Sequence, residues 1–253
     1  MLATLLLFTA FTSSMEAAHD VGVNHAVRGT IALKVQSTAI EQTAWTVDLM
    51  VSMESIVREN RRNETAFRIS PEHINYPVAI RWRQKQPDSA YDWAVIARHQ
   101  SNHDIDVIDA SLVRETISYE VYGVQWLFDA HAIEFGVYYD RGTRLNGRKQ
   151  YWPFDYFLAG ARIQGRLDVS EGAYLAYDTE WVAHRNSSTE LPHLDISGHV
   201  DLGWSLPGQR GQMNAFLRTA RLTNYQFLGD TPEHAVMLGM EIWGGESHRS
   251  QWF

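Results

Sequence analysis

The feature that most constrains the fold is an alternation of apolar and polar side chains that recurs along the chain. Its clearest stretch runs from 194 to 204. The apolar row there is Leu194, Ile196, Gly198, Val200, Leu202 and Trp204, and the polar row between and after these is Asp195, Ser197, His199, Asp201, Gly203 and Ser205. Residues two positions apart lie on the same side of a β-strand, so the stretch predicts a strand with one apolar and one polar face.

Similar stretches recur through the sequence, at 27–35, 45–53, 74–82, 133–139, 173–183, 213–219 and 236–242. These segments span 7 to 11 residues, whereas strands of soluble proteins usually have about 5 or 6. A tilted strand needs about 9 to 11 residues to cross a bilayer. We therefore expect an all-β fold, a transmembrane antiparallel β-barrel of about 12 strands, closed so that no strand edge is left unpaired in lipid.

The connections between these segments alternate in length. The short ones are 37–42, 87–90, 129–130, 169–172 and 207–211, and the long ones are 58–64, 102–113, 141–150, 185–193 and 224–233. Bacterial outer-membrane barrels have short periplasmic turns and longer external loops, so the alternation favours such a barrel. An even number of strands then requires one more strand before Val27, either within 18–26 or lost with a truncated gene start.

The polar rows carry charges of both signs. Examples are Asp48, Glu54, Arg81, Arg83, Arg98, Glu120, Arg162, Arg166, Asp178, Glu180, Asp195, Asp201 and Arg218. In a barrel these charges would fill a narrow lumen and pair there. A soluble periplasmic β-sandwich or lipocalin-like binder has the same alternation with a wet polar face, so charge alone leaves that alternative open. Mean hydropathy of -0.30 excludes a bundle of transmembrane helices.

The two ends of the sequence carry possible export and assembly signals. Met1 to Ala18 contains an apolar run followed by small residues, which predicts a signal peptide and leaves 19–253 as a single barrel domain in the bacterial outer membrane. The alternative is that the first residues belong to a strand. The chain ends in Phe253, as do many barrels that engage the outer-membrane insertion machinery.

Composition excludes several classes of function. The net charge is -8 and the basic residues are scattered, which argues against a nucleic-acid surface. The absence of cysteine excludes a disulfide scaffold and thiolate zinc sites. The histidines show no HExxH spacing, so no zinc site is predicted. Membrane lipids are the expected partners, and the sequence leaves the oligomeric state open.

One predicted strand has polar groups on its lipid-facing row. Tyr91, Trp93, Val95 and Ala97 form that row, and the same parity adds His99 and Ser101. Hydrogen-bonding side chains on a hydrocarbon-facing wall are costly unless they pair or have a function. The loop alternation places both residues near the external rim, where a histidine and a small polar residue can also belong to an interfacial belt.

The tetrapeptide at 99–102 resembles the His-x-Ser-Asn motif of outer-membrane phospholipase A and is similar to the His-x-Ser motif of lipid A deacylase barrels. The resemblance implies Ser101 as nucleophile and His99 as general base, with the third member from elsewhere on the outer wall. If Ile117, Tyr119 and Val121 face lipid, Glu115 lies on that wall and is the predicted third member. The phospholipase's glycine after the asparagine is His103 here, and its Ser-Arg-Ser-x-x-Asn stretch is missing.

Three carboxylates follow in the predicted external loop, namely Asp104, Asp106 and Asp109. Such oxygen ligands suit Ca²⁺, which the phospholipase family uses, while a solvated acidic loop is the alternative. The sequence thus predicts an interfacial serine esterase of the phospholipase A or lipid A deacylase type. The alternative is a non-enzymatic barrel, either a narrow channel or a structural or surface protein.

Overall fold

The computed structural model describes residues 10–21, 28–59, 69–104, 115–140, 143–145, 148–150, 157–185, 192–208, 211–222 and 233–245. The strands are β1 Ala10–Asp20, β2 Arg28–Glu41, β3 Trp45–Glu59, β4 Ile69–Gln84, β5 Asp92–Asp104, β6 Glu115–Phe128, β7 His131–Asp140, β8 Thr143–Leu145, β9 Arg148–Gln150, β10 Phe157–Asp168, β11 Ala173–Arg185, β12 Pro192–Pro207, β13 Gly211–Leu222 and β14 Glu233–Gly245. None of these residues belongs to a helix that is long and apolar enough to cross a membrane.

Twelve long strands close into an antiparallel barrel, which confirms the predicted fold. Each long strand pairs with its neighbour in the chain, with β7 passing to β10, and the ladder between β1 and β14 completes the ring. The short strands β8 and β9 form a hairpin that extends from β6 beyond the barrel wall. A closed ladder pairs the backbone polar groups of every barrel strand on both sides, as a strand in hydrocarbon requires.

The predicted extra strand exists, and it begins earlier than expected. β1 pairs with β2 through Ala10↔Thr38 and with β14 through Thr12↔Gly245, so the chain's first and last described strands meet at the short-turn end. The strand expected within 18–26 is therefore Ala10–Asp20. It includes residues 10–18, the second half of the predicted signal peptide, and these residues form a strand in the structure. Cleavage of a signal peptide stays a prediction.

The two faces of the barrel differ as the alternation predicts. On β14 the outward row includes Leu238, Met240 and Ile242, which are 60%, 59% and 52% exposed, whereas Met237, in the opposite row, is fully buried. We call the outward face the outer wall and the inward face the lumen. The outer wall is apolar where lipid would cover it, so the exposed leucines and methionines indicate a membrane-spanning band rather than a wet surface.

Tryptophan side chains mark the short-turn end of the outer wall. Five lie within a few residues of the short connections, namely Trp45, Trp82, Trp93, Trp126 and Trp204. Trp82 and Trp93 pack edge to face with ring centroids 5.0 Å apart. Tryptophan prefers the membrane–water interface, and this girdle therefore places the short turns at one interface and the long loops at the other.

The lumen is filled by side chains, and its charges pair as predicted. Arg81 Nη2 lies 2.8 Å from Asp48 Oδ2, and Arg218 binds Asp201 through two nitrogens at 2.7 and 2.8 Å. Aromatic rings lie over lumen-facing glycines, such as Tyr138 over Gly160. The largest fully buried side chains include Arg81, Arg98, Tyr138, Met50 and Ile96. These side chains make the interior of the described barrel a packed core.

Candidate active site

His99 and Ser101 lie on the outer wall near the external end of β5. Ala94, Ile96 and Arg98 are buried in the lumen, and Val95 between them is 45% exposed, so odd-numbered residues of β5 face outward. The His99 side chain is 41% exposed. Ser101 is the tenth residue of a strand that starts at Asp92, and a strand needs about 9 to 11 residues to cross the hydrocarbon. Both side chains therefore lie near the external lipid boundary.

A carboxylate contacts His99 from the neighbouring strand. Glu120 of β6 is the cross-strand partner of His99, and the distance from His99 Nδ1 to Glu120 Oε1 is 3.0 Å. The Glu120 side chain is only 15% exposed. A carboxylate on a lipid-facing wall is costly unless it is paired, and the imidazole provides that pairing. The carboxylate that orients His99 in this structure is Glu120.

The expected orientation of β6 is wrong. Val121 is fully buried in the lumen, whereas Tyr122 and Val124 are 55% and 40% exposed on the outer wall. The sequence pattern predicts the opposite, with Val121 facing lipid and Glu120 facing the lumen. Both rows of this strand contain apolar residues, so periodicity alone did not distinguish them. Gly123 and Gln125 are the signal that was missed, because a glycine and an amide between aromatic residues mark the lumen row.

Glu115, the predicted third member, lies at the start of β6 and pairs through its backbone with Leu145. The strand register puts it five positions from Glu120, the residue opposite His99, which is roughly 16 Å along a strand at about 3.3 Å per residue. The register therefore supports Glu120 rather than Glu115 as the partner of His99. The side chain of Glu115 lies outside the described residues, and a role for it stays a prediction.

Two tyrosines extend the polar group around His99. Tyr76 of β4 is opposite Ser101 and is 38% exposed, and Tyr139 of β7 is opposite Glu120. We call Tyr76, His99, Ser101, Glu120 and Tyr139 the outer-wall cluster. Directly opposed side chains on one face of an antiparallel sheet have Cβ atoms about 4.5 to 5.5 Å apart. The cluster therefore spans four adjacent strands in two neighbouring rows, one with Tyr76 opposite Ser101 and one with Glu120 between His99 and Tyr139.

The hydrogen bond at Nδ1 determines what the ring of His99 can do. A carboxylate at Nδ1 favours the tautomer that carries its proton there, which leaves Nε2 as the basic nitrogen. Ser101 is two residues further along the same face, roughly 6 to 7 Å away along the backbone. The arrangement has the residue types of a nucleophile, a base and an orienting carboxylate.

The side chains of the three predicted calcium ligands lie outside the described residues. Asp104 is the last residue of β5 and its side chain is not described, while Asp106 and Asp109 lie outside the described residues. Among the side chains that are described, no group of three His, Cys, Asp or Glu has the spacing of a metal site. Calcium binding by Asp104, Asp106 and Asp109 stays a prediction.

Comparison with solved structures identifies the fold. No protein-family model matches the chain, and no curated protein matches its sequence. Outer membrane phospholipase A from Escherichia coli has 9% identity, with 92% of each chain covered and a TM-score of 0.51. The calcium-bound dimer of the Salmonella typhi outer membrane phospholipase has 9% identity, 92% and 90% coverage and a TM-score of 0.52. An outer membrane channel from Pseudomonas putida F1 has 10% identity, 95% and 96% coverage and a TM-score of 0.51. The chain thus has the fold of bacterial outer-membrane barrels.

Proposed function

We propose that this barrel is an interfacial serine esterase that hydrolyses acyl esters of membrane lipids. The observation that carries the proposal is the pairing of His99 Nδ1 with Glu120 Oε1 at 3.0 Å on a wall whose exposed large side chains are mostly apolar. Ser101 lies on the same face of the same strand. An imidazole, a carboxylate and a hydroxyl at the lipid boundary carry a desolvation cost that a purely structural wall has no reason to bear.

The proposed reaction uses the cluster in two steps. Ser101 Oγ attacks the ester carbonyl carbon while Nε2 of His99 takes the hydroxyl proton, and Glu120 stabilises the imidazolium that forms. The tetrahedral intermediate expels the lipid alkoxide, which receives that proton and leaves as the lyso-lipid alcohol. Water, deprotonated by His99, then cleaves the acyl-serine to a fatty acid and restores the hydroxyl.

The position of the cluster suits a lipid substrate. Membrane lipids reach an outer-wall residue by lateral diffusion, and a strand residue near the external boundary meets the ester linkages between acyl chains and headgroups. Two of the barrels with this fold are phospholipases and another is a channel, so the fold does not discriminate between these activities. The support for hydrolysis comes from the side chains of the outer-wall cluster.

The direct test is lipid hydrolysis by the purified, folded protein in mixed micelles of phosphatidylethanolamine and detergent, with and without calcium. We expect wild type to release fatty acid and Ser101→Ala to lose the activity while it keeps heat-modifiable migration on gels. His99→Ala should lose about as much, because members of one catalytic unit are not additive. Thr219→Ala removes an exposed outer-wall hydroxyl from β13 and is the matched control. Full activity in Ser101→Ala would exclude the proposal.

A non-enzymatic barrel is the second candidate. The observation in its favour is the packed lumen, in which buried ion pairs such as Arg81–Asp48 join adjacent strands, an arrangement that would suit a structural or surface protein. Under this hypothesis the outer-wall cluster is part of an interfacial belt. Absence of lipid hydrolysis under every calcium condition would favour it, and conductance across planar bilayers would distinguish a narrow channel from a structural barrel.

A further inference from the structure

Arg221 has an unusual position among the arginines of the barrel. On β13 the odd-numbered residues face outward, as the exposed Met213 and Leu217 show, and Arg221 belongs to this row. The even-numbered residues Asn214, Phe216, Arg218 and Ala220 are buried in the lumen. Arg221 therefore projects from the outer wall, in line with apolar residues that face lipid. A guanidinium at such a place needs an anionic partner or the headgroup region.

The other described arginines show what a paired guanidinium looks like in this protein. Six have a carboxylate partner, namely Arg81, Arg83, Arg98, Arg162, Arg166 and Arg218. For Arg221, by contrast, no ion pair is found within the described parts of the chain, and its buried Nε atom has no hydrogen-bond partner there. The six arginines above are thus paired with carboxylates, whereas Arg221 on the outer wall has no such partner among the described residues.

The depth of Arg221 matches the external headgroup region. β13 begins at Gly211 beside a short connection, and Arg221 is its eleventh residue. A tilted strand crosses the hydrocarbon in about 9 to 11 residues. Phosphate groups of lipids lie just beyond that boundary, so the guanidinium is at the height of headgroups rather than of acyl chains.

The neighbours of Arg221 fit a lipid with a phosphate. His234 of β14 is its cross-strand partner and is exposed on the same wall, and the partner on the other side, Gly198 of β12, has no side chain. Towards the membrane centre, Val236 and Leu238 are 43% and 60% exposed. A guanidinium fork binds phosphate oxygens through two parallel hydrogen bonds. Apolar residues directly below the fork would contact the acyl chains of the same lipid.

We infer that Arg221, with His234 beside it, forms a binding site for the phosphate group of an anionic lipid in the external leaflet. The site lies on the β13–β14 side of the ring, whereas His99 is on β5, five strands from β14 in the barrel order. It does not depend on the proposed hydrolysis, since binding needs neither Ser101 nor His99. A lipid held there would be a boundary lipid and not the lipid at the outer-wall cluster.

The test is retention of lipid by the intact barrel in native mass spectrometry. The probes are ether-linked phosphatidic acid and ether-linked phosphatidylcholine with identical chains, because ether lipids resist any esterase and choline masks the phosphate charge. We expect wild type to prefer phosphatidic acid, and Arg221→Gln to weaken that preference roughly tenfold, as the loss of a charge-assisted pair predicts. Arg221→Lys keeps the charge without the fork and should lie between the two.

Arg166→Gln is the matched control, because it removes the same charge from the lumen face near a short turn. It should leave the lipid preference unchanged. Competition by inorganic phosphate would support a site for phosphate from either source, and lack of competition would support a site that also needs the acyl chains. Equal retention of phosphatidic acid by wild type and Arg221→Gln, both with heat-modifiable migration, would overturn the inference.

Discussion

Glu16 and Arg218 are separated by 202 positions in the sequence, yet Arg218 Nη2 donates a hydrogen bond of 3.0 Å to Glu16 Oε2 inside the barrel. Arg218 also binds Asp201 on β12, so one guanidinium joins β1, β13 and β12 across the lumen. The pair lies on the inner side of the closure between the first and last strands. β1 is therefore held by an ion pair as well as by its two ladders.

Because β1 closes the barrel between β2 and β14, the folded protein is predicted to keep this strand. Cleavage after Ala18 would remove most of β1, including Glu16, and leave β2 and β14 with unpaired edges in lipid, which is strongly unfavourable. We expect protein extracted from outer membranes in folded form to retain residues 10–20. Intact mass and N-terminal sequencing of the heat-modifiable species would check this. A folded species that starts at His19 would show that another segment closes the barrel.

The buried pair Arg81–Asp48 predicts a large stability effect. Their side chains are 1% and 4% exposed, and the Nη2–Oδ2 distance is 2.8 Å. Arg81→Met should lower the free energy of unfolding by about 3 to 5 kcal/mol, because it leaves a buried carboxylate without its cation. Urea unfolding in lipid vesicles, followed by tryptophan fluorescence, measures the change.

The matched control for that variant is Arg83→Met. Arg83 pairs with Asp92, but its side chain is 34% exposed, and a pair of this kind contributes roughly 0 to 1 kcal/mol. The double variant Arg81→Met, Asp48→Leu should recover much of the lost stability, since no charge then remains buried. Equal losses in Arg81→Met and Arg83→Met would contradict the role assigned to burial.

The barrel was predictable because lipid outside and paired charges inside impose opposite chemistry on neighbouring residues. On β12, for example, Leu202 and Trp204 face the lipid side, and Asp201 and Ser205 face the lumen. Strand length and the alternation of loops then distinguished a membrane barrel from a soluble sandwich. β1 was misplaced because its lumen row, with Glu16 and Ala18, is short and follows an apolar run that resembles a leader.

The site was only partly predictable. The lipid-facing row of β5 is uniform, so its parity correctly located His99 and Ser101 on the outer wall. In β6 the lumen residue Val121 is as apolar as its outward neighbour Tyr122, because it packs in the core with Tyr138 and Val182. A one-residue error in parity exchanges the two faces, and the carboxylate next to His99 was missed for that reason.

Gly160 should be required for packing under Tyr138. A Cβ atom at this position would lie 2.3 Å from Tyr138 Cε2 and 3.1 Å from the Trp181 carbonyl oxygen. Gly160→Ala should therefore destabilise the barrel by about 1 to 3 kcal/mol through overpacking. Gly244→Ala is the control, because its nearest atom, Ser13 Oγ, would be 3.6 Å away. Urea midpoints of the two variants in the same vesicles check this, and equal midpoints would show that Tyr138 moves aside at little cost.

The identity of the carboxylate that orients His99 can be decided by comparing two glutamates of one strand. Glu120 Oε1 lies 3.0 Å from His99 Nδ1, whereas Glu115 pairs through its backbone with Leu145. If the barrel is an esterase, Glu120→Gln should lower kcat about 10²- to 10⁴-fold with little change in KM, because it weakens stabilisation of the imidazolium formed in the transition state. Glu115→Gln should leave kcat within a few fold of wild type. Glu120→Asp, which keeps the charge on a shorter side chain, should recover part of the rate that Glu120→Gln loses.

The kinetics are measured on folded protein in mixed micelles, with heat-modifiable migration as the check on each variant. A larger loss in Glu115→Gln than in Glu120→Gln would restore Glu115 as the orienting residue and show that the His99–Glu120 contact serves only to neutralise a carboxylate on the lipid-facing wall.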